Sequence, residues 1–260
     1  MPTQNCFFAM FDILGFKALR NRLGTEGLYN LYRRIIITDI EHAFMPKFQY
    51  VSSADRPTVA IPDPTSKRAD CLLFSDTITF FTVNDSLDSF INIVFTALEM
   101  QKSSLVPPRA PLRGAIAWGD IVADGPIIVG SAIEAAYTGE QSQVWAGCML
   151  TSEAESFCEN NHYFTTFHRI FSTALDSEQD ADKKKSILKA SKAIVRYSVP
   201  LQDKDSAGTA TYYTEEHYVL DWTHGVYVGA ADKAFMEPIN NHQKTIRDNT
   251  KKFETWARNR

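Results

Sequence analysis

Two aspartates, Asp12 and Asp76, are the residues best placed for chemistry. Asp12 directly follows the apolar run of residues 6–11 (CFFAMF). Asp76 lies in a two-residue polar break between the β-rich runs 71–74 and 77–81. Each therefore stands at the end of an apolar strand. If those strands are neighbours, the carboxylates share one sheet edge and form a hard, oxygen-rich site of the kind Mg²⁺ or Mn²⁺ prefers. Two such ions can activate one oxygen and stabilise the departing one in an in-line displacement at phosphorus. Gly15 and Phe16 follow Asp12 at a strand-to-helix turn. A glycine there lets phosphate oxygens approach backbone N–H groups, and a helix N-terminus favours their negative charge. The same aspartates also suit a plain helix cap and a plain hairpin turn, where Asp is common.

Other reactive residue types offer less. Cys6, Cys71, Cys148 and Cys158 form no CxxC pair, which suits reduced core thiols in a cytoplasmic protein. Neither Cys148 nor Cys158 has a partner for nucleophile chemistry in the sequence. The histidines show no HExxH or paired Cys/His spacing, so no structural zinc is expected. Lys183, Lys184 and Lys185 read as a solvated face. Trp118, Trp145, Trp222 and Trp256 read as packing residues rather than base platforms.

The order of elements decides whether Asp12 and Asp76 can meet. The strand at 6–11 is followed by an amphipathic helix over 28–44, with Leu28, Leu31, Tyr32, Ile35, Ile36, Ile40, Ala43 and Phe44 on one face. Residues 46–68 are rich in proline and polar residues and read as loop, with a short strand at 48–51. Residues 71–81 read as a hairpin. Asn84, Asp85 and Ser86 can cap the next helix, whose face is Leu87, Phe90, Ile91, Val94, Phe95 and Leu98 and which Pro107, Pro108 and Pro111 end. A strand at 112–122, a short run at 127–129 and a helical segment over 130–158, broken at Gly139, come next. This β-α-β-β-α-β order is the split βαβ, ferredoxin-like arrangement of an α+β fold, in which the first strand and the hairpin are neighbours. Residues 172–192 read as a solvated helix or mobile insertion. Strands at 193–199 and 212–221 and a helix over 239–256, with Ile246, Phe253 and Trp256 on one side, complete the chain. We divide it into a core, 1–160, and an extension, 161–260, that completes the domain or supports a dimer.

Composition excludes several classes. The 260 residues are 44% hydrophobic and 22% charged, which rules out a disordered or collagen-like chain. No apolar run approaches the roughly 20 residues that cross a bilayer, and the N-terminus lacks the basic region of a signal peptide. A net charge of -4 carries no footprint of a nucleic-acid binder. No membrane and no nucleic-acid partner are expected.

Four motifs carry a resemblance. AMFDILGF resembles the F-x-D-[IV]-x-G-F segment that opens the catalytic domain of class III nucleotidyl cyclases, and LLFSDTITFF resembles their hairpin, with Ser75 in place of the usual Gly. LRGAIAWGDIV resembles their R-x-G-[IV]-x-x-G-x-[IV] strand, and VGSAIEAAY stands where they have G-x-x-[VI]-N-x-A-S-R. The match spans about residues 5–150. The resemblance implies that Asp12, the backbone carbonyl of Ile13 and Asp76 bind two Mn²⁺ or Mg²⁺ ions, and that a homodimer forms its sites at the interface.

The departures point to the base. The resemblance places the purine-selecting pair at Leu72 and Ile127, and neither can hydrogen-bond a purine edge. The transition-state Asn and Arg fall on Glu134 and Thr138, which leaves Gln141, Gln143 and Arg113 as remaining donors. A core that keeps both aspartates and drops the purine selectors resembles the pyrimidine cyclases of bacterial Pycsar anti-phage systems, as does the pattern G-x-A-I-E-A-A-Y-x-x-E-x-x-Q-x-W-A-G from Gly130 to Gly147. The resemblance then implies conversion of UTP, or alternatively CTP, to a 3′,5′-cyclic monophosphate that activates a separate effector. Tyr50, on a possible strand beside the hairpin, is the candidate for base stacking. A degenerate homologue that senses a nucleotide without turnover stays open. A diguanylate-cyclase or polymerase relative is disfavoured by the absence of a GG[DE]EF-like tip.

Overall fold

A computed structural model describes residues 3–34, 48–53, 56–62, 69–124, 127–224, 226, 229, 230, 233, 235 and 241–260. Of residues 48–53, 56–62, 69 and 70 it describes the backbone alone. The strands are β1 (Gln4–Ile13), β2 (Phe48–Ser53), β3 (Arg56–Pro62), β4 (Ala69–Phe74), β5 (Thr77–Thr82), β6 (Leu112–Asp124), β7 (Ile127–Val129), β8 (Cys148–Leu150), β9 (Ile194–Lys204) and β10 (Ala210–Leu220). The helices are α1 (Phe16–Tyr32), α2 (Leu87–Ser104), α3 (Ser131–Ser142), α4 (Ser152–Asn160), α5 (Tyr163–Ser177), α6 (Ala181–Ser191) and α7 (Asn241–Arg258).

One sheet carries the site. Its order is β4-β5-β1-β6-β8-β10-β9, with β7 pairing β6. The first four strands in that order are the ferredoxin-like core, with β1 antiparallel to both β5 and β6. Alternation along β1 assigns its two faces. Phe7, Ala9, Phe11 and Ile13 join the main core with Phe90, Ile93, Val94 and Leu98 of α2. Cys6 and Phe8 join a second core with Ala132 and Ala136 of α3. The sheet is thus covered by α2 on one face and by α3 on the other. Burying each large apolar side chain of α2 contributes about 1.5–3 kcal/mol of transfer free energy, so its apolar face, more than helix propensity, seats it. Its start is set by Ser86, whose Oγ accepts from the Ser89 amide at 3.3 Å.

Several expectations need correction. The first helix begins at Phe16 rather than near Leu28, because Gly15 turns the chain at φ 75° and starts α1 at once. Gly24, at φ 66° and ψ −178°, then kinks it. Residues 35–44 of the expected helix lie outside the described residues. The expected loop over 46–68 contains a second strand, β3, which pairs with β2 in a separate two-stranded ladder. The expected helical segment over 130–158 is two helices with β8 between them. β8 lies parallel to β6, and its three buried residues (CML) are too few to show a period. The charged stretch 172–192 is a solvated helical region, as expected: the end of α5 and then α6, which has no buried residue.

The C-terminal third packs into the same core: Phe164, Phe167, Val195, Leu201, Val219, Trp222 and Phe253 all belong to the main cluster. Helix α7 runs from the first described residue after 240 and buries Ile246 and Phe253. Among the described residues no helix is long and apolar enough to cross a membrane.

Candidate active site

Asp12 and Asp76 meet. Asp12 pairs in register with Thr77 of β5 and Arg113 of β6, and Asp76 is the second residue of the tight turn joining β4 to β5. The Ile13 amide donates to the Asp76 carbonyl at 3.1 Å and ties the two ends together. Ser75 makes the turn at φ 56°, a region that favours glycine. Its carbonyl accepts from the Tyr32 hydroxyl at 2.5 Å. Burial and the nearby Asp76 and Asp12 charges push the Tyr32 hydroxyl up to about 12, so it stays a donor.

A third carboxylate and a guanidinium complete the cluster. As an even-numbered residue of β1, Asp12 lies on the α3 face, and Arg113 lies beside it. Arg113 Nε donates to Glu140 Oε1 at 2.6 Å and NH1 donates to the Gln143 carbonyl at 3.0 Å. Its NH2 stands 4.0 Å from Asp12 Oδ2, outside hydrogen-bond distance. Glu140 is fully enclosed, with a side chain 2% exposed, and its other oxygen accepts from Gln141 Nε2 at 2.6 Å. Burial raises the Glu140 carboxyl above the usual range, against the opposing pull of Arg113. Burial and then the Glu140 charge push Asp12 up to about 6, with Arg113 opposing and Asp76 adding to the rise. Among the described residues, Asp12 and Glu140 share the single Arg113 guanidinium, and Asp76 adds a third negative charge nearby.

That imbalance and the all-oxygen donor set of Asp12, Asp76 and the Ile13 carbonyl fit a divalent cation. Among the described residues no three His, Cys, Asp or Glu side chains form a metal-binding group. Glu140 is committed to Arg113 and Gln141, so the protein offers two carboxylates, and remaining ligands must come from backbone, water or substrate oxygens.

The other expected residues are placed as follows. Gly15 is exposed and directly precedes α1, whose start has no side-chain cap. Phe16 packs its ring partly against the main core, leaving only its backbone for a phosphate. Tyr50 lies on β2, which among the described residues pairs with β3 and not with the hairpin strands; its side chain lies outside the described residues. Leu72 and Ile127 are both exposed. Glu134 and Thr138 are exposed on α3. Gln143 is excluded as a free donor. Its Nε2 donates to the carbonyls of Gly114 and Gly139, and its Oε1 accepts from Trp145 Nε1.

Sequence reasoning missed Glu140. It stands in the Y-x-x-E-x-x-Q pattern with Tyr137 and Gln143, and three-residue spacing puts those residues near one helix face, yet nothing in the pattern names Arg113 as the partner. The approach of two C-terminal elements to this cluster was also missed. A cleft of about 290 Å³ beside Gln141 is lined by Tyr137, Gln202 and Lys204, the last two from β9. His242 of α7 is held below the usual histidine range by burial and by the Arg113 and Lys204 cations.

No family model and no curated relative matches the chain. Among solved structures, the catalytic core of a rhodopsin-guanylyl cyclase with converted specificity, in complex with ATPalphaS, is 12% identical over 84% of this chain and 96% of that one, with a TM-score of 0.45. An adenylate/guanylate cyclase/hydrolase from Silicibacter pomeroyi is 13% identical over 85% of this chain and 99% of that one, with a TM-score of 0.44.

Proposed function

We propose that the chain is a nucleotidyl cyclase of the class III kind that closes UTP, or alternatively CTP, to the 3′,5′-cyclic monophosphate and pyrophosphate. The observation that carries this reading is the convergence of Asp12 and Asp76 at one sheet end, where Asp12 is partly buried beside the Glu140 carboxylate. Asp12, the Ile13 carbonyl and Asp76 would hold two Mn²⁺ or Mg²⁺ ions. Such ions lower the pKa of the ribose 3′-hydroxyl and offset charge on the leaving pyrophosphate. The 3′-oxygen bonds to the α-phosphorus, the bond to the α–β bridging oxygen breaks, and the hydroxyl proton passes to water.

The chain's own residues set the geometry. The Ile13–Asp76 hydrogen bond fixes the spacing of the two carboxylates. The exposed turn at Gly15 and the start of α1 offer backbone N–H groups to the phosphates. Leu72 and Ile127 are exposed and offer no hydrogen bond to a purine edge, so the usual selection of a purine is lost. Glu134 and Thr138 are weak replacements for the Asn and Arg that the resemblance expects. That favours, as a second reading, a homologue that binds a triphosphate without turnover. A homodimer, and a role in bacterial anti-phage defence through an effector that the product activates, complete the proposal.

The test is incubation of purified protein with Mn²⁺ and each of ATP, GTP, CTP and UTP, with products identified by mass spectrometry. Cyclic UMP or cyclic CMP, absent with Asp76→Asn, is the expected result. Cyclic AMP or cyclic GMP would refute the base assignment. Triphosphate binding without pyrophosphate release would favour the sensor.

A further inference from the structure

The buried ion pair between Glu140 and Arg113 has a bearing on Asp12 that depends on where each guanidinium nitrogen points. Nε is taken by Glu140 and NH1 by the Gln143 carbonyl. Only NH2 faces Asp12, and it stops at 4.0 Å. Arg113 is itself buried, with a side chain 8% exposed. A buried guanidinium does not stay unpaired, because removing one member of such a pair leaves an uncompensated charge. Glu140 lies one turn from the end of α3, and Gln141 pins its second oxygen, so its carboxylate cannot swing away from Arg113 without breaking a second bond. Without Glu140, the described carboxylate in reach of Arg113 is Asp12. Arginine and carboxylate pair through two parallel hydrogen bonds, which would occupy the oxygens that Asp12 otherwise presents to a cation.

We propose that Glu140 is a positioning residue: it neutralises Arg113 and holds it off Asp12, so that Asp12 stays open to a divalent cation. This rests on the reading of Asp12 and Asp76 as cation ligands. It gives the third carboxylate a role that needs no contact with metal or substrate. It also accounts for a buried acidic residue in the last turn of α3, a helix whose other buried residues are Ala132, Ala136 and Gly139.

The test titrates metal-free protein with Mn²⁺ and reads free hexaaqua Mn²⁺ by electron paramagnetic resonance, with no nucleotide present. Four proteins are compared: wild type, Glu140→Gln, the double variant Arg113→Met with Glu140→Gln, and Asp76→Asn. Circular dichroism confirms that each is folded. Glu140→Gln is expected to weaken Mn²⁺ about 10-fold or more, as loss of a residue supporting a metal ligand does. The double variant removes the competing cation and is expected to return affinity toward wild type. If Glu140→Gln fails to fold, Glu140→Asp replaces it, since the shorter side chain lets Arg113 slip toward Asp12 and also weakens binding. Unchanged affinity in the Glu140 variants, with binding lost in Asp76→Asn, overturns the positioning role alone. Weakening that the double variant does not reverse also overturns it. Wild-type binding that Asp76→Asn leaves unchanged overturns the underlying assignment of the cation ligands.

Discussion

The amide of Ile13 donates to the carbonyl of Asp76 at 3.1 Å, 63 residues along the chain. Two carboxylates that are distant in sequence are thereby held at fixed spacing by backbone, which does not depend on either side chain. Neutralising one carboxylate should therefore change charge without moving the other.

Asp12→Asn tests that separation through stability. In the metal-free protein the folded state raises Asp12 from the ordinary 3.8 to about 6. Between those values the native state binds more protons than the unfolded one, so this group's contribution to stability falls as pH rises and is lowest above pH 6. The full shift corresponds to about 3 kcal/mol. The side chain is 26% exposed, and solvent screening reduces the contribution to roughly 1–2 kcal/mol. Asp12→Asn removes it. The variant is expected to melt at the wild-type temperature near pH 4 and above it at pH 7.5, with chelator present. A difference independent of pH would contradict the burial of this charge.

Ser75→Gly should stabilise the hairpin tip. A non-glycine residue at φ 56° costs about 1–2 kcal/mol, of which glycine's greater unfolded entropy takes back about 0.5–1 kcal/mol. The net gain of roughly 0.5–1 kcal/mol is a rise in Tm of about 1–4 °C. Differential scanning calorimetry measures it, and a lower Tm would mean that the Ser75 side chain itself holds the turn.

The contrast between Asp76 and Glu140 shows what sequence could reveal. Asp76 was legible because a tight turn between two β-rich runs is a local signal, as is a strand ending at Asp12. The ferredoxin-like order followed from the same local patterns. Glu140 was illegible because its meaning lies in Arg113, 27 residues away, and no period encodes that pairing. β8 was lost for a related reason: its three residues are buried by neighbours on both sides, so apolar alternation never appears. α1 was misplaced because its start depends on the backbone of Gly15 rather than on an apolar stripe. β3 was hidden by prolines, which a short two-stranded ladder tolerates.

Gly130→Ala should be strongly destabilising. Gly130 sits at φ 156°, and a Cβ there would stand 2.1 Å from the Asp120 carbonyl oxygen and 2.8 Å from the Ile121 Cα. Both are backbone atoms of β6, so neither can rotate aside. The start of α3 would have to move away from the sheet, at a cost of about 2–3 kcal/mol or more. Urea unfolding checks this. A midpoint equal to wild type would mean that α3 does not press on β6 as closely as these distances require.

Phe74→Ser tests self-association. Phe74 is 83% exposed at the end of β4, beside the exposed Leu72 and Leu73, and among the described residues β4 is an edge strand of the sheet. A large aromatic ring held in water gains about 1.5–3 kcal/mol when covered. In a twofold homodimer every interface residue is used twice, so losing the ring from both copies costs about 3–6 kcal/mol, a Kd weakened by roughly 10²–10⁴. Sedimentation velocity should show wild type associating at concentrations where Phe74→Ser is monomeric. Mn²⁺ binding should survive, because Asp12 and Asp76 belong to one chain, whereas cyclase activity should fall with the dimer. A monomeric variant that keeps full activity would place the complete site within one chain, and a variant that still dimerises would move the interface away from β4.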